Sequence, residues 1–581
     1  MDLKYPKINV LTKSRTLIET FGGYNHNLRI GDGEFYDMKN LTSDGFPVLS
    51  VRRPRGIYAT PAAASGMIGK DVLCYVDGAD LVMGGERVAM GLSVDGEPKT
   101  LVSMGAYVII MPDKKYINTA DITDRGDMEA SVVTSGEVSF TLCRADGSAY
   151  ENVTVQASEP KDPENMALWI DTSSTPHTLK QYSASSAMWV SIATTYIKIT
   201  AAGIGKPFAV NDGVTISGIA GEALADLNAT MILWDRGDDY LVVTGILDEV
   251  TKQTAAVTVS RRMPNMDFII ESGNRLWGCR YGTDISGNTV NEIYASKLGD
   301  FKNWNCFMGI STDSYAASVG TDGAFTGAIT HLGYPLFFKE NYLHKVYGSY
   351  PGNFAIQDTA CRGVGKGSAR SLVIVGEVLY YRSRAAVCAY DGSLPVEISA
   401  PLGDISYHDA VAGTVRNKYY ISMKDDADIP HLFVYDTMRG LWHREDETAV
   451  KCFCTFHGEL YYIDGKDGKL KTILGTGEAE KGSISWMAQT GIIGVISPDK
   501  KYLSRLDIRL TLDVSSVADI EVEYDSSGTW EHVFTMIGEN LRSFSVPIRP
   551  RRCDHLRLRI HGQGTAMIYS ICKTMEEGSE V

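Results

Sequence analysis

Few residues of this chain have the types and spacing that chemistry requires. Asp404, His408 and Asp409 lie close together in DISYHDA, and a histidine between carboxylates can act as a general base or a metal ligand. The other interpretation, which we favour, is a surface turn between β units. The sequence has no G-x-S-x-G nucleophile motif, and its 11 histidines are dispersed. No catalytic set follows from these residues.

A glycine-rich stretch, GVGKGS at 363–368, is similar to a phosphate-binding loop. It fails the G-x-x-x-x-G-K-[ST] spacing because Gly367 separates Lys366 from Ser368. The residues that follow have the pattern of β-strands rather than of a helix. We therefore expect a loop between two β units and no nucleotide cofactor.

Carboxylates are frequent in turns, where a pair could serve glycoside hydrolysis or bind calcium. They are Asp391, Asp425, Asp426, Asp464 and Asp467. Asp before Gly is explained by turn geometry alone. DGKDGK at 464–469 lacks the third acidic ligand and the closing Glu of a calcium loop, and no sialidase-type S-x-D-x-G-x-x-W motif occurs. The sequence predicts no metal site here.

The 10 cysteines are scattered, and Cys452 and Cys454 form the one close pair. A C-x-C on a strand places both sulfur atoms on one face, but no second pair stands at zinc-ligand spacing. We expect reduced thiols that pack as small hydrophobic groups.

Two basic clusters stand out, RRPRG at 52–56 and RPRRC at 549–553. They could contact DNA phosphates in a channel. The interpretation that we favour is pairing with acidic neighbours in an assembly.

Two tryptophans, Trp304 and Trp442, each follow a strand and a turn that contains Gly. A tryptophan in a groove could stack on a sugar. Core packing between neighbouring sheets is favoured, because the side chain buries a large area.

The element that must position these residues is a repeated β unit. Aromatic strands beside Gly/Asp turns recur roughly every 40 residues, at Leu336, Leu379, Tyr419 and Leu460. This period is typical of a four-stranded β-propeller blade. The sequence predicts an all-β fold with a propeller of six to eight blades, inserted small β modules and a C-terminal β-sandwich of jelly-roll type.

The cadence divides the chain into five segments. We expect an N-terminal extended arm at 1–55, the first propeller blades at 56–125 and inserted β modules at 126–262. The remaining blades follow at 263–482, and the C-terminal sandwich at 483–581. The insert is expected to hold two modules, at 130–158 and 203–262, with a short helical turn in GEALADLNAT. The arm could also supply a strand that closes the propeller ring.

The overall charge limits the partners. With 56 Lys and Arg against 71 Asp and Glu, the net charge of the 581-residue chain is −15, which argues against coating of nucleic acid. The opening MDLKYPKINVLTKSRTL lacks an apolar signal region, and no run of residues is apolar enough to span a membrane. We expect a protein made in the cytoplasm that leaves it, if at all, by lysis.

Two stretches resemble the tail-nozzle and tail-hub propeller proteins of short-tailed double-stranded DNA phages. The matching residues are Phe21, Gly22, Gly23, Asn25, Glu34, Asp37, Met38, Asn40, Arg55 and Gly56 in the first, and Asn274, Arg275, Leu276, Trp277, Ile293, Tyr294, Ser296, Gly299, Asp300, Phe301 and Trp304 in the second. The matches cover about a fifth of the chain.

The resemblance implies a structural part of a virion tail and no enzyme. It implies a ring of identical copies around the DNA exit channel, contacts with adaptor and fibre proteins, passage of genomic DNA without sequence recognition, and a possible host receptor. Axial residues should then be polar or acidic, so that DNA does not adhere. Two alternatives stay open: a propeller that binds carbohydrate or a receptor, and a propeller glycosidase.

Overall fold

The structure, a computed structural model, describes residues 13–284, 287–495, 499–538 and 540–577. The start of the predicted arm and the end of the predicted sandwich, 1–12 and 578–581, lie outside the described residues. Almost all regular structure is β-strand, which confirms the predicted all-β class. In the described part, the helical structure consists of four 3-10 helices, Glu222–Leu227, Pro351–Asn353, Ala369–Ser371 and Ala400–Leu402.

The N-terminal region holds six short strands before the first blade. They are β1 Lys13–Ile18, β2 Gly23–Tyr24, β3 Glu34–Lys39, β4 Leu41–Thr42, β5 Leu49–Val51 and β6 Gly56–Ala59. Blades one and two of the propeller follow, each an antiparallel meander of four strands. Blade one is β7 Ala64–Gly69, β8 Leu73–Asp77, β9 Asp80–Met83 and β10 Glu86–Ala89, and blade two is β11 Thr100–Met104, β12 Tyr107–Met111, β13 Lys115–Asn118 and β14 Arg125–Asp127.

The insert comes next and forms three small sheets. Its strands are β15 Ala130–Val133, β16 Val138–Cys143, β17 Val153–Gln156, β18 Leu168–Asp171, β19 Thr178–Ser183, β20 Met188–Ser191, β21 Tyr196–Thr200, β22 Gly213–Ser217, β23 Thr230–Ile232, β24 Asp235–Gly237, β25 Tyr240–Thr244, β26 Thr251–Gln253 and β27 Thr258–Arg261. The sheet orders are β15-β27-β22-β23, β24-β25-β21-β16-β26 and β17-β18-β19-β20. The first two share one core, so the two predicted modules interleave instead of folding separately.

Blades three to seven occupy the next part of the chain. Blade three is β28 Phe268–Ser272, β29 Arg275–Thr283, β30 Thr289–Ala295 and β31 Tyr315–Ser318, and blade four is β32 Phe325–His331, β33 Tyr334–Lys339, β34 Tyr342–Tyr347 and β35 Ala355–Ala360. Blade five is β36 Val373–Val375, β37 Val378–Arg382, β38 Val387–Tyr390 and β39 Val396–Glu397, and blade six is β40 Tyr407–Val415, β41 Lys418–Asp425, β42 Pro430–Asp436 and β43 Leu441–Arg444. Blade seven is β44 Val450–Phe456, β45 Glu459–Asp464, β46 Leu470–Thr472 and β47 Glu478–Ala479.

The blades close into a ring. The innermost strands β7, β11, β28, β32, β36, β40 and β44 follow one another around the axis, with the 3-10 helix Ala369–Ser371 between β32 and β40, and β44 packs against β7. The last blade is completed by β6, which pairs with β46 and β47. The described residues therefore form seven blades, within the predicted six to eight. The strand that completes the last blade, β6, begins at Gly56, just after the predicted arm and within the segment that we expected to start the first blades.

The rest of the chain forms a sandwich together with the N-terminal strands. The C-terminal strands are β48 Ser485–Thr490, β49 Lys501–Leu512, β50 Val517–Tyr524, β51 Glu531–Ile537, β52 Arg542–Val546, β53 Leu556–Gln563 and β54 Ala566–Glu577. One six-stranded sheet contains β1, β4 and β5, and the other contains β2 and β3. The segment that we expected to be an extended arm is thus part of the sandwich, because its strands satisfy their backbone groups on the C-terminal sheets.

The sandwich and blade six share one hydrophobic core. Trp442 is 1% exposed, donates its indole N–H to Ile398 O at 2.8 Å and packs against Tyr435 with ring centroids 5.0 Å apart. On the sandwich side, a side chain on Gly23 would overlap the backbone oxygen of Trp442. This close approach joins the two units.

Both tryptophans that the sequence singled out are core residues, so the prediction of core packing is confirmed. Trp304 is 2% exposed, and its indole N–H bonds Phe301 O at 3.0 Å. We expect Trp304→Ala or Trp442→Ala to lower the free energy of unfolding by about 3–5 kcal/mol. Denaturant unfolding followed by tryptophan fluorescence measures this. Trp234→Ala is the control, because Trp234 is 39% exposed, and an equal loss in all three variants would contradict the assignment.

Acid should weaken the joint between sandwich and propeller. His443 is 1% exposed, neither ring nitrogen has a hydrogen-bond partner in the described chain, and burial lowers its pKa to about 3. An unfolded histidine takes up its proton near pH 6.5. The contribution of neutral His443 to the free energy of unfolding is therefore complete above pH 6.5. This free energy decreases by up to about 1.4 kcal/mol per pH unit as the pH falls from 6.5 towards 3.

Unfolding measured between pH 6.5 and 5, above the titration of most carboxylates, should show this slope. His443→Gln should flatten the slope, while His457→Asn, at an exposed histidine, should leave it unchanged. A wild-type stability that is constant across this range would contradict a neutral buried His443.

Candidate functional site

A cavity lies at one end of the propeller axis, and we call it the channel mouth. Its volume is about 950 Å³, in the range of small-ligand sites. Blades one, three, four, six and seven contribute, through the starts of inner strands and the loops between second and third strands, and so do the segments before blades two and five. The residues that matter for chemistry are Asp322, Lys339, Glu340, Lys366, Arg370, Asp409, Lys424 and Lys451.

Arg370 reaches across the axis below the channel mouth. It lies in the 3-10 helix before β36 and donates to Lys451 O at 2.8 Å and to Lys99 O at 3.3 Å. These bonds connect blade five to blade seven and to the start of blade two. A second axial cavity of about 310 Å³, also lined by Arg370, lies beyond it. The guanidinium group therefore reaches across the axis between the two cavities.

The GVGKGS stretch forms a loop between blades four and five, as the sequence predicted. Gly363 N–H donates to Glu340 O at 3.0 Å, and Gly365 N–H donates to Arg382 O at 3.0 Å. A side chain on Gly363 would overlap Lys339 O. The glycines are needed for this tight path, and the path brings Lys366 to the channel mouth.

The interpretation of DISYHDA as a surface turn is wrong for two of its three residues. His408 and Asp409 belong to β40, the inner strand of blade six, at a register shift between His408 and Val411. Asp409 has a φ of 50°, and its carboxylate lines the channel mouth. Asp404 stays outside, exposed in the loop before β40. The bulge, not the sequence spacing, decides where these side chains lie.

His408 and Asp409 form a small polar network. His408 Nδ1 lies 3.3 Å from Asp409 Oδ2, and Lys424 Nζ lies 3.4 Å from the same oxygen. A side chain on Gly367 would come within 2.6 Å of Asp409 Oδ1, so the glycine makes room for the carboxylate.

The charge of the channel mouth differs from that of the whole chain. Its lining includes five Lys and Arg and three Asp and Glu, although the whole chain carries −15. Burial lowers the pKa of Lys339, whose ammonium group bonds Asn291 Oδ1 at 2.9 Å and Thr321 O at 2.6 Å. The sequence predicted polar or acidic residues on the axis; at this end the lining is polar, with more cationic than acidic side chains.

The other turn carboxylates have structural partners. Asp391 accepts hydrogen bonds from the backbone and hydroxyl of Ser393, and Asp425 pairs with His431 at 2.9 Å. Asp426 is exposed. Asp464 and Asp467 both pair with Lys471, at 2.6 and 3.1 Å. In the described residues, no group of three or more His, Cys, Asp or Glu is placed to hold a metal ion.

Cys452 and Cys454 lie on β44, the inner strand of blade seven, and line the second axial cavity. Both are free thiols, as expected from their spacing. Burial raises the pKa of Cys452 and raises that of Cys454 to about 12. Because the thiolate is the reactive form, these groups are poor nucleophiles at neutral pH.

The RRPRG cluster forms an internal clamp between propeller and sandwich. Arg52 pairs with Glu480 at 2.7 Å, and Arg55 pairs with Glu445 at 2.8 Å and Asp446 at 3.0 Å. Burial alone would lower the pKa of Arg55, but the neighbouring acidic groups raise it well above its usual value. The acidic partners belong to the same chain, so the cluster neither faces the propeller axis nor depends on an assembly.

The RPRRC cluster lies between β52 and β53 of the sandwich, away from the propeller axis. Arg551 pairs with Glu531 at 2.6 Å and lies over the ring of Tyr524, 4.9 Å from its centroid. Arg549 and Arg552 are exposed.

Sequence reasoning missed most of the channel mouth. Asp322, Glu340, Lys424 and Lys451 were not candidates, and Lys366 was noted for its loop alone. Each lies near the start of an inner strand or the end of a second strand. Alignment of the blades on one another would have been the signal, because equivalent positions in every blade meet at the axis.

No helix in the described part of the chain is long and apolar enough to cross a membrane. No family model matches the chain, and no curated protein matches it in sequence.

The solved structures to which this chain is similar include a galactanase, a sialidase and a glycoside hydrolase. An exo-β-1,3-galactanase from Phanerochaete chrysosporium is 8% identical, covers 52% of this chain and 94% of its own, and has a TM-score of 0.22. A sialidase from Trypanosoma rangeli is 9% identical, and the match covers 89% of this chain and 95% of the sialidase, with a TM-score of 0.21. An engineered GH43 glycoside hydrolase is 10% identical, covers 53% and 97%, and has a TM-score of 0.21.

The sequence-based prediction of no enzyme is corrected by these similarities, because the proteins that share the fold include glycoside hydrolases. At these identities and TM-scores they concern the propeller fold alone, and they assign no activity or substrate to this chain.

Proposed function

We propose that the protein is a structural component of a phage virion tail, a nozzle or hub ring around the DNA exit channel. Several copies form the ring, adaptor and fibre proteins dock on it, and genomic DNA passes without sequence recognition. Assembly takes place in the host cytoplasm. The proposal rests on the resemblance of two stretches to such tail proteins and on where the matching residues lie.

The first matching stretch builds the joint between sandwich and propeller. Asp37 on β3 pairs with Arg444 on blade six at 3.1 Å. Asn40 donates its amide to Ser485 O at 2.8 Å, and its backbone N–H bonds Glu445 O at 2.6 Å. Arg55 forms the buried pair with Glu445 described above. These motif residues therefore fix the sandwich to the propeller.

The second matching stretch builds the joint between blade three and the insert. Phe301 and Trp304 pack with Met128 and Met263, which lie at the two ends of the insert. Asp300 accepts a bond from Asn303, whose amide also bonds Asp212 in the insert at 2.8 Å. This is the observation that carries the proposal: both matching stretches hold side units rigidly on the propeller, which a tail ring requires.

The proposal routes DNA between copies of the ring and not through one propeller. Arg370, which reaches across the propeller axis, supports this choice. The insert and the sandwich are then available for contacts with neighbouring copies, fibres or a host receptor.

A second candidate, a propeller that binds carbohydrate, is favoured by the channel mouth, where acidic and basic side chains surround a cavity of suitable size. It is compatible with a place in the tail.

Immunogold electron microscopy of purified virions tests the tail proposal. An antibody to the purified protein should label the tail or its tip, and antibody pre-absorbed with the protein should not. Unlabelled virions, with the protein free in the lysate, would overturn the proposal.

A further inference from the structure

Four inner strands share an irregularity at the channel mouth. In β7, β32, β40 and β44 the pairing register shifts near the start of the strand. The residues displaced by these shifts include Ser65, Thr326, Asp409 and Lys451. All four are polar, and all four line the cavity. Bulges redirect side chains, and here they direct polar groups of four blades towards one space.

Several cations of the lining have no carboxylate partner. Lys366 and Lys451 form no side-chain hydrogen bond or ion pair within the described chain, and both are exposed to the cavity. Arg370 bonds backbone oxygens alone. In a chain with more acidic than basic residues, carboxylates are available to pair with cations. Three cations in one cavity that pair with no carboxylate therefore indicate a site for a negatively charged ligand.

The cavity also offers acceptors and apolar faces. Asp322 and Glu340 form no ion pair within the described residues, and Asp409 has Lys424 as its cationic neighbour at 3.4 Å. Phe268, Phe325 and Tyr342 lie among them. Carboxylates accept hydrogen bonds from hydroxyl groups, so a ligand that carries several hydroxyl groups beside its negative charge fits this lining better than free phosphate or a nucleic acid strand does.

We infer that the channel mouth binds an acidic oligosaccharide. Lys366, Arg370 and Lys451 pair with its carboxylate, and Asp322, Glu340 and Asp409 accept hydrogen bonds from its hydroxyl groups. The aromatic side chains contact the apolar faces of the sugar rings. This inference rests on the second candidate function, carbohydrate binding at the channel mouth, and does not depend on the tail role.

Isothermal titration calorimetry on the full-length protein tests the inference. The probes are a panel of oligosaccharides that carry hexuronate or sialic acid, each with its own methyl ester, together with inorganic phosphate. We expect at least one of the acids to bind and its methyl ester to bind more weakly by a factor of about ten or more. The affinity of the acid should fall as the salt concentration rises. Binding of no acid at millimolar concentration, equal binding of acid and ester, or binding of phosphate alone would overturn the inference.

Variants locate the binding. Lys366→Met with Lys451→Met removes two charges and keeps the aliphatic stems, and should weaken binding about tenfold or more without lowering the melting temperature. Lys481→Met is the matched control, because Lys481 is 90% exposed and lies outside the cavity. If the double variant binds as the wild type does, the ligand lies elsewhere and the inference fails. The labelling of virions is scored separately, so this result leaves the tail proposal untouched.

Discussion

The structure depends on one short segment, residues 49–59, which closes two units at once. Its first strand, β5, pairs with β54 in the sandwich, and its last strand, β6, pairs with β46 in blade seven. Between these strands, Arg52 pairs with Glu480 and Arg55 pairs with Glu445 of the propeller. The ring closes where blade seven packs against blade one, and because β6 completes blade seven, this closure is coupled to docking of the sandwich. Loss of either partner of the buried Arg55 pair would leave an uncompensated charge, which is costly.

This coupling explains why the channel mouth can be a defined site. Five blades and the segments before blades two and five line it, so its geometry is fixed only when the ring is closed. Arg370 depends on the same closure, because it bonds backbone oxygens of two other blades. The insert is held in a comparable way, by Asn303 and the core around Trp304. The result is a rigid disc with two side units and a preorganised cavity on its axis.

Local patterns were sufficient for the propeller and insufficient for the sandwich and the site. A blade is a meander of neighbouring strands, so its period can be seen in the sequence at Leu336, Leu379, Tyr419 and Leu460. The N-terminal strands pair with strands more than 400 residues away, as Lys13 does with Glu576, and no local pattern indicates such pairing. They were therefore expected to form an arm. Asp409 was misplaced for a related reason, since a bulge in β40 decides its direction.

The most direct test of the account is hydrogen–deuterium exchange of the wild type and of Arg55→Met, with Arg53→Met as control at the exposed neighbour. If residues 49–59 couple the two closures, Arg55→Met should lose protection in β5 and β54 of the sandwich and in β6 and β46 of blade seven together, while blades two to four keep theirs. Loss of protection at only one of these two places, or the same loss in Arg53→Met, would contradict the coupling.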